Sequence, residues 1–270
     1  MFFKSLNKFI ILALFLGVVA LSIGVYSNKK EIGNEKIPLD RLIAHAGGEI
    51  YGIRITNSMQ ALDNSYEKGF RFFELDFEWT SDGIPVILHD WGNANWFFNI
   101  KYSTEAHTYE KFKSLKPILG LKIMDLNDLS DWLKKHKDAY IITDVKSENI
   151  KLLQLLKDNY PDIKNQIIPQ IHSFDEYDKV KNLGYSNIIL TLYKLEATDE
   201  EILKFCKDTD LLAVTMYESK GFTDLPKRLS EIGIKSYVHT INDYNVYVKL
   251  RDNGVFGVYT DYFQPNNWVE

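Results

Sequence analysis

The chain has 270 residues, 45% of them hydrophobic and 14% aromatic, enough for one sizeable core of the size common for α/β barrels. A formal net charge of −5 and a pI near 5.7 give no sign of nucleic-acid binding. A single cysteine, Cys206, excludes an intrachain disulfide, a cysteine zinc site and a lipid anchor at an N-terminal cysteine.

In chain order, Lys4 and Lys8 precede a run from Phe9 to Ser27 with no Asp, Glu, Lys, Arg or Pro. That is close to the ~20 residues that span a bilayer, and longer than the apolar core of a cleaved signal peptide. The expectation is a short cytoplasmic tail (1–8), a transmembrane signal anchor (9–27) and a polar linker (28–38), with the remaining domain outside the cytoplasm. A cleaved signal peptide is the alternative. Lys29, Lys30 and Lys36 follow the run, so loop charge does not settle orientation.

From residue 39 onward, strand-like and helix-like runs alternate. Strands are predicted at Arg41–Ala46, Phe70–Trp79, Pro85–His89, Tyr140–Val145, Gln166–Ile171, Asn187–Tyr193, Leu211–Met216, Lys235–Thr240 and Gly257–Thr260. Amphipathic stretches between them predict helices at Ser58–Lys68, Leu126–Lys137, Ile150–Tyr160, Asp175–Leu183, Asp199–Lys207, Leu225–Ile232 and Tyr244–Asp252. Ser173-x-x-Glu176 and Thr198-x-x-Glu201 fit capping boxes, and Gly69, Gly184, Gly233 and Gly254 sit where helices end. This rhythm predicts a parallel sheet, and about eight units over residues 39–270 fit a (β/α)₈ TIM barrel. A doubly wound open sheet is the alternative, weakened because Ala46-Gly47-Gly48 is no phosphate-binding glycine loop. Residues 91–120 break the rhythm. With Trp91, Trp96, Phe97, Phe98 and Tyr102 they read as an insertion over the barrel mouth, first as a cover and second as a surface for glycan or lipid.

The most informative stretch runs from Phe72 to Asp90. Alternation turns Glu74, Asp76 and Glu78 to one face of a strand and Phe73, Leu75 and Phe77 to the other. Carboxylates in so apolar a strand are costly unless a cation or hydrogen bonds meet them. His45 closes the first predicted strand and His89 the third. Asp144 and Lys146 lie two apart at the end of another. Active groups of a barrel project from strand C-termini, so two imidazoles, three carboxylates and one amine converge on one mouth. Three carboxylates call for a hard divalent cation, Mg²⁺ or Ca²⁺. Such an ion acts as a Lewis acid on a phosphoryl oxygen, Lys146 adds positive charge, and two histidines divide the acid and base roles. The set suits phosphodiester cleavage. Taken singly, each residue has a structural reading: a strand-end histidine, an E-x-D ion pair, an Asp-x-Lys salt bridge. Glu78 reads equally as a rim residue, Asp90 as a support for His89 or a cap on the following turn, and His107, His136 and His172 as structural or surface residues.

The motifs His45-Ala46-Gly47, Asn57-Ser58, Glu74-Leu75-Asp76 and Thr80-x-Asp82-Gly83-x-x-Val86-x-x-His89-Asp90 occur in this order. They continue in Ile142-Thr143-Asp144-Val145-Lys146, Ser173-Phe174-Asp175, Thr240-Ile241-Asn242-Asp243 and Gly254-Val255-x-Gly257-Val258-x-Thr260-Asp261. Together they resemble the glycerophosphodiester phosphodiesterase family, within the phosphatidylinositol-phospholipase-C-like barrels, from Arg41 to Phe263. The resemblance implies a metal-dependent TIM barrel that cleaves glycerophosphodiesters to glycerol phosphate and an alcohol. It makes His45 and His89 the acid/base pair, Glu74, Asp76 and Asp144 the metal ligands, and Lys146 a phosphate contact. Three positions depart from the family pattern. Ala46 stands where an arginine usually binds phosphate, Asp144 where a glutamate is usual, and His239 where a tryptophan is frequent. Arg54 is a candidate replacement for the missing guanidinium, and His239 a candidate substrate contact. The substrate expected is a small-molecule or polymeric phosphodiester of a lipid headgroup or the cell envelope. The alternatives are phospholipase D- or C-like cleavage of intact lipid through a cyclic phosphate, and an inactive barrel that binds a phosphorylated ligand.

Overall fold

Strand β2 (Phe72–Trp79) shows how the sequence builds the molecule, here a computed structural model that describes residues 36–265. Its odd-numbered members Phe73, Leu75 and Phe77 pack outward under the helices, while Phe72, Glu74 and Asp76 face inward. Seven further strands follow the same logic: β1 (Leu42–Ala44), β5 (Tyr140–Val145), β6 (Ile167–Ile171), β7 (Ile189–Thr191), β8 (Ala213–Tyr217), β9 (Lys235–His239) and β10 (Gly257–Thr260). Every neighbouring pair among these eight is parallel, and β1 pairs with both β2 and β10, so the sheet closes. The result is a closed eight-stranded parallel barrel of the TIM type. The open doubly wound sheet is excluded by that closure.

β3 (Pro85–Ile87) is not a stave of the barrel. It folds back antiparallel onto the far end of β2 and pairs with the short β4 (Met124–Asp125), which the sequence reading missed. Predicted to run to His89, β3 ends at Ile87, although the Leu88 N–H still donates to the Asp76 carbonyl of β2 at 3.0 Å, the next step of the hairpin register.

All seven predicted helices form, and side-chain caps mark the starts of four of them. Ser58 caps helix Met59–Glu67, and Thr198 and Glu201 form the predicted box on helix Asp199–Asp208. The box predicted at Ser173 does not form. Asp175 is the N-cap of helix Glu176–Asn182, Ser173 Oγ donates to the Asp175 carboxylate at 2.5 Å, and Glu176 accepts from the His172 N–H at 2.7 Å. A box that was not predicted, Asp125 with Asp128, starts helix Leu126–Lys135.

Residues 91–120 fold into helices Trp91–Phe98 and Tyr109–Ser114 and a 3₁₀ turn at Ile118–Gly120. Trp91, Phe97, Phe98 and Phe112 are buried in an apolar cluster of their own with Val86 and Leu88, whereas Trp96 and Tyr102 face solvent. Among the described residues no helix is long and apolar enough to cross a membrane. The anchor expected at 9–27 lies outside those residues.

Candidate active site

The acidic centre is a consequence of strand register. In the parallel β2–β5 pair, Asp76 lies directly opposite Asp144, with Glu74 one inward-facing position deeper. One carboxylate oxygen from each of Glu74, Asp76 and Asp144 falls within 4.8 Å of the others. Glu74 and Asp76 are buried. Such crowding demands compensation, and it is supplied piecemeal. Lys146 Nζ donates to Asp76 at 2.6 Å and to Asp144 at 2.8 Å. The Ala46 N–H donates to Glu74 at 2.9 Å. Asn57 clasps Asp76, donating from Nδ2 to the carboxylate at 2.8 Å and accepting the Asp76 N–H at 3.0 Å. The Tyr193 hydroxyl donates to Asp144 at 2.7 Å.

Compensation is incomplete at Glu74. Burial, and next the charge of Asp76, push its carboxyl up to about 8. Burial also disfavours charge on Asp144, but Lys146 and Tyr193 overcome it and hold that carboxyl below its usual range. The Lys146 ammonium is held above its ordinary value, its burial outweighed by Asp76 and Asp144. An all-oxygen, strongly acidic donor set with one carboxylate still under strain from its neighbours fits a hard divalent cation.

His45 stands over this centre because β1 ends in a left-handed turn. Ala46, Gly47 and Gly48 all have positive φ, and a Cβ on Gly48 would lie 2.2 Å from Ser65 Oγ. His45 Nδ1 lies 2.8 Å from Asp261, and its Nε2 4.0 Å from Glu74. Burial works against a charged ring, but Asp261, Glu74 and Asp76 outweigh it and lift His45 to about 9. Asp261 is itself aligned by Asn242, which donates from Nδ2 at 2.7 Å and accepts the Asp261 N–H at 2.9 Å. His89 leaves the β3 hairpin beside the acidic strand, its Nδ1 hydrogen-bonded to Asp90. Orientation by Asp90 was one of the two roles read for that residue.

The other candidates sort as follows. Glu78 is half-buried at the rim and is not one of the three clustered acids. Arg54 reaches to 3.9 Å from Asp261, on the His45 side of the mouth. Ala46 is fully buried and contributes its N–H rather than a side-chain charge. His239 lies across the mouth with its ring against Tyr217 and Tyr193, and its Nε2 has no hydrogen-bond partner. Burial, with the nearby charge of His45, pulls His239 down to about 4. His136 stacks on Trp132 and His107 packs against Trp91, in agreement with structural roles. His172 is different. It was read as structural or surface, yet its Nε2 lies 3.8 Å from Asp144 and its ring meets Tyr193. Asn57, Tyr193 and Asp261 were given no role in advance. Position just beyond a strand end was a usable signal for His172 and Asp261. Asn57 stood in the motif Asn57-Ser58, but nothing local marked its reach from a loop to Asp76.

The family model for glycerophosphoryl diester phosphodiesterases matches residues 45–264. The chain belongs to this family. The match takes in every site residue named above. Human glycerophosphodiester phosphodiesterase 1 is 26% identical over 184 residues, covering 62% of this chain and 49% of the human protein. The chain thus spans about half the length of that relative. The Bacillus subtilis protein YqiK is 24% identical over 245 residues, 83% of this chain and 96% of YqiK. Among solved structures, an Oleispira antarctica phosphodiesterase in complex with the product sn-glycerol-3-phosphate superposes with a TM-score of 0.66 at 20% identity, covering 84% of this chain and 95% of that one. A glycerophosphodiester phosphodiesterase from Thermotoga maritima gives 0.63 at 20%, with 83% and 96% covered. At these identities the superpositions establish the shared fold.

Proposed function

We propose that this family member hydrolyses a glycerophosphodiester or a related headgroup or envelope phosphodiester, using His45 and His89 as its acid/base pair. The observation that carries the reading is the convergence of three carboxylate oxygens within 4.8 Å, with Lys146 between two of them and His45 held over the third. Glu74, Asp76 and Asp144 would hold one divalent cation, Mg²⁺ or Ca²⁺. When bound, it supplies Lewis-acid stabilisation of charge on the phosphoryl group. Lys146 contributes positive charge at the same place, and Arg54 and His239 are the further substrate contacts. One histidine takes the proton of the attacking water as its oxygen bonds to phosphorus. The other gives a proton to the alcohol oxygen as its bond to phosphorus breaks. Asp261 and Asp90 orient the two rings, a task distinct from proton transfer.

The activity carries to this chain as a proposal, since it matches only half of its human relative. The uncharged run 9–27 supports a membrane-anchored protein with its catalytic domain outside the cytoplasm. Protease accessibility of the domain in intact cells tests that placement. A panel of phosphodiesters, deacylated and acylated, assayed with and without chelator tests the chemistry. The expected result is a phosphomonoester product, loss of turnover with chelator, and recovery with Mg²⁺ or Ca²⁺. A cyclic phosphate product would transfer the attack to a hydroxyl of the substrate. Turnover of no phosphodiester would leave a phosphate-binding barrel.

A further inference from the structure

Each of the three clustered acids is held by a neutral donor, and the donor to Asp144 comes from furthest along the chain. Glu74 has the Ala46 N–H, Asp76 has Asn57 Nδ2, and Asp144 has the Tyr193 hydroxyl, 49 positions away and at 2.7 Å. Tyr193 lies two residues past β7, and counting in twos from the inward-facing Ile189 turns it into the mouth. Three rings brace its own. It meets His172 edge-on at 5.4 Å and His239 at 5.9 Å, and it tilts against Tyr217 at 6.0 Å. The four side chains come from the ends of β6, β7, β8 and β9, successive neighbours in the barrel. The hydroxyl oxygen of a ring so braced has a defined position.

Asp144 is the acid that most needs such a hold. Its side chain is 15% exposed, against 5% for Glu74 and 2% for Asp76, so packing confines it least. A carboxylate turns about its last bond in a broad, roughly two-fold well, so partners on its oxygens decide where they lie. Asp144 has one on each: Lys146 on Oδ2 at 2.8 Å and Tyr193 on Oδ1 at 2.7 Å. The two donors differ in kind. Lys146 also binds Asp76 and serves the substrate phosphate in the reading above, and its charge offsets that of the acids. The Tyr193 hydroxyl orients the carboxylate and leaves its negative charge for a cation. His172 Nε2, at 3.8 Å from the same Oδ1, stands beyond hydrogen-bond reach. Building on the assignment of Glu74, Asp76 and Asp144 as metal ligands, we infer that Tyr193 is a positioning residue of the metal site, whose hydroxyl holds Asp144 in its ligating orientation and so sets the affinity for the divalent cation.

The test reads metal binding directly. The Tm of the full-length chain is measured in chelator and then across a titration with Mg²⁺ or Ca²⁺. The rise above each variant's own chelated baseline gives its affinity and separates loss of fold from loss of binding. Tyr193→Phe keeps the ring and removes the hydroxyl. It should weaken cation binding by roughly 10–100-fold, as loss of a partner to a metal ligand does. At saturating cation its phosphodiester turnover should return to within a few-fold of wild type, because the residue acts through Asp144 and not on the reacting atoms. Tyr217→Phe, exposed on the same wall, is the control and should leave the affinity unchanged. An unchanged affinity in Tyr193→Phe, or an equal loss in Tyr217→Phe, would overturn the inference and leave the phosphodiesterase reading intact. Turnover of Tyr193→Phe that stays low at saturating cation would make Tyr193 a contact to substrate and overturn the positioning role. A wild-type Tm that neither cation raises would overturn both the inference and the metal assignment. Weakened cation binding in a protein that cleaves no phosphodiester would uphold the inference and overturn the reading of function alone.

Discussion

The lower and upper halves of the barrel interior are made by the same strands, two residues apart. Below, Ile43, Phe72, Ile142, Ile168, Ile189, Tyr237 and Tyr259 interlock in an apolar plug. One inward-facing step further along each strand, these become His45, Glu74, Asp76's partner Asp144, Gln170, Thr191, His239 and Asp261. Backbone geometry is shared, so the contrast isolates what side chains alone do. The lower layer stabilises mainly by burial, with a directed bond from the Tyr237 hydroxyl to the Asp40 carbonyl. The upper layer keeps carboxylates in a space where burial, and next the charge of Asp76, raise Glu74 and where His172 and His239 hold ring nitrogens without hydrogen bonds. Such groups cost stability and persist where chemistry requires them.

Mutations can break or sharpen this contrast. The largest effect is expected at the top. His45→Ala or His89→Ala should lower phosphodiester turnover by about 10²–10⁴-fold. Turnover within a few-fold of wild type would remove that histidine from the acid/base pair. At the bottom the expectation is reversed. Phe72→Ala should cost about 3–5 kcal/mol in denaturant unfolding, because neither the stacked Tyr140 nor the strands can close the cavity. A loss under 1 kcal/mol would mean that the plug is not tightly packed.

Glu74→Gln joins the two halves. It should abolish turnover and, in chelator, leave Tm equal to or above wild type, since the cost of burying an ionisable carboxyl beside Asp76 is removed while an acceptor for the Ala46 N–H remains. A lowered Tm would show that the carboxylate stabilises the fold.

The pH dependence follows from the same group. Glu74 holds its proton more tightly folded than unfolded, at about 8 against 4.5. Stability from this group is therefore fully present below the ordinary carboxylate range and is lost as pH rises through about 8. His45, raised from 6.5 to about 9, adds stability that is lost over its own higher interval. The Tm of the chelated protein should fall as pH is raised across these windows, and Glu74→Gln should remove the lower part of the slope. A Tm that is flat with pH in chelator would contradict both shifts.

The smallest effect is expected far from the mouth. Asp125→Ala removes the N-cap of helix Leu126–Lys135 and should cost about 1 kcal/mol. The Asp125 carboxyl resists burial through hydrogen bonds from Tyr109, the Asp128 N–H and Lys113, and is held at about 2. Its contribution should persist at neutral pH and fade as acid takes the protein down through that value. A variant as stable as wild type at neutral pH would show the cap to be redundant.

Much of this was readable along the chain because it depends on period and local chemistry. Period-2 alternation put Glu74 and Asp76 on one face, and Thr198-x-x-Glu201 marked its helix start. The Ser173 box failed because Glu176 turned back to the His172 N–H, a choice between near-equal local partners. β3 is a strand as predicted but ends two residues before His89, even though the Leu88 N–H still meets the Asp76 carbonyl of β2. Asn57 stands in a motif of the family pattern, but its role could not be read locally: its partner Asp76 is 19 residues away and is brought to it by the turn after β1.

By itself, then, the sequence determined the alternating elements, the inward carboxylates, the strand-end histidines and the family pattern, all of which are set by short-range spacing. Only the tertiary structure decided the register that places Asp76 opposite Asp144, the pairing of His45 with Asp261 from the far end of the chain, the nearness of His172 to Asp144, and the bond from Tyr193 to the same carboxylate. Those depend on barrel closure, which brings the first and last strands side by side and sets distant loops around one mouth.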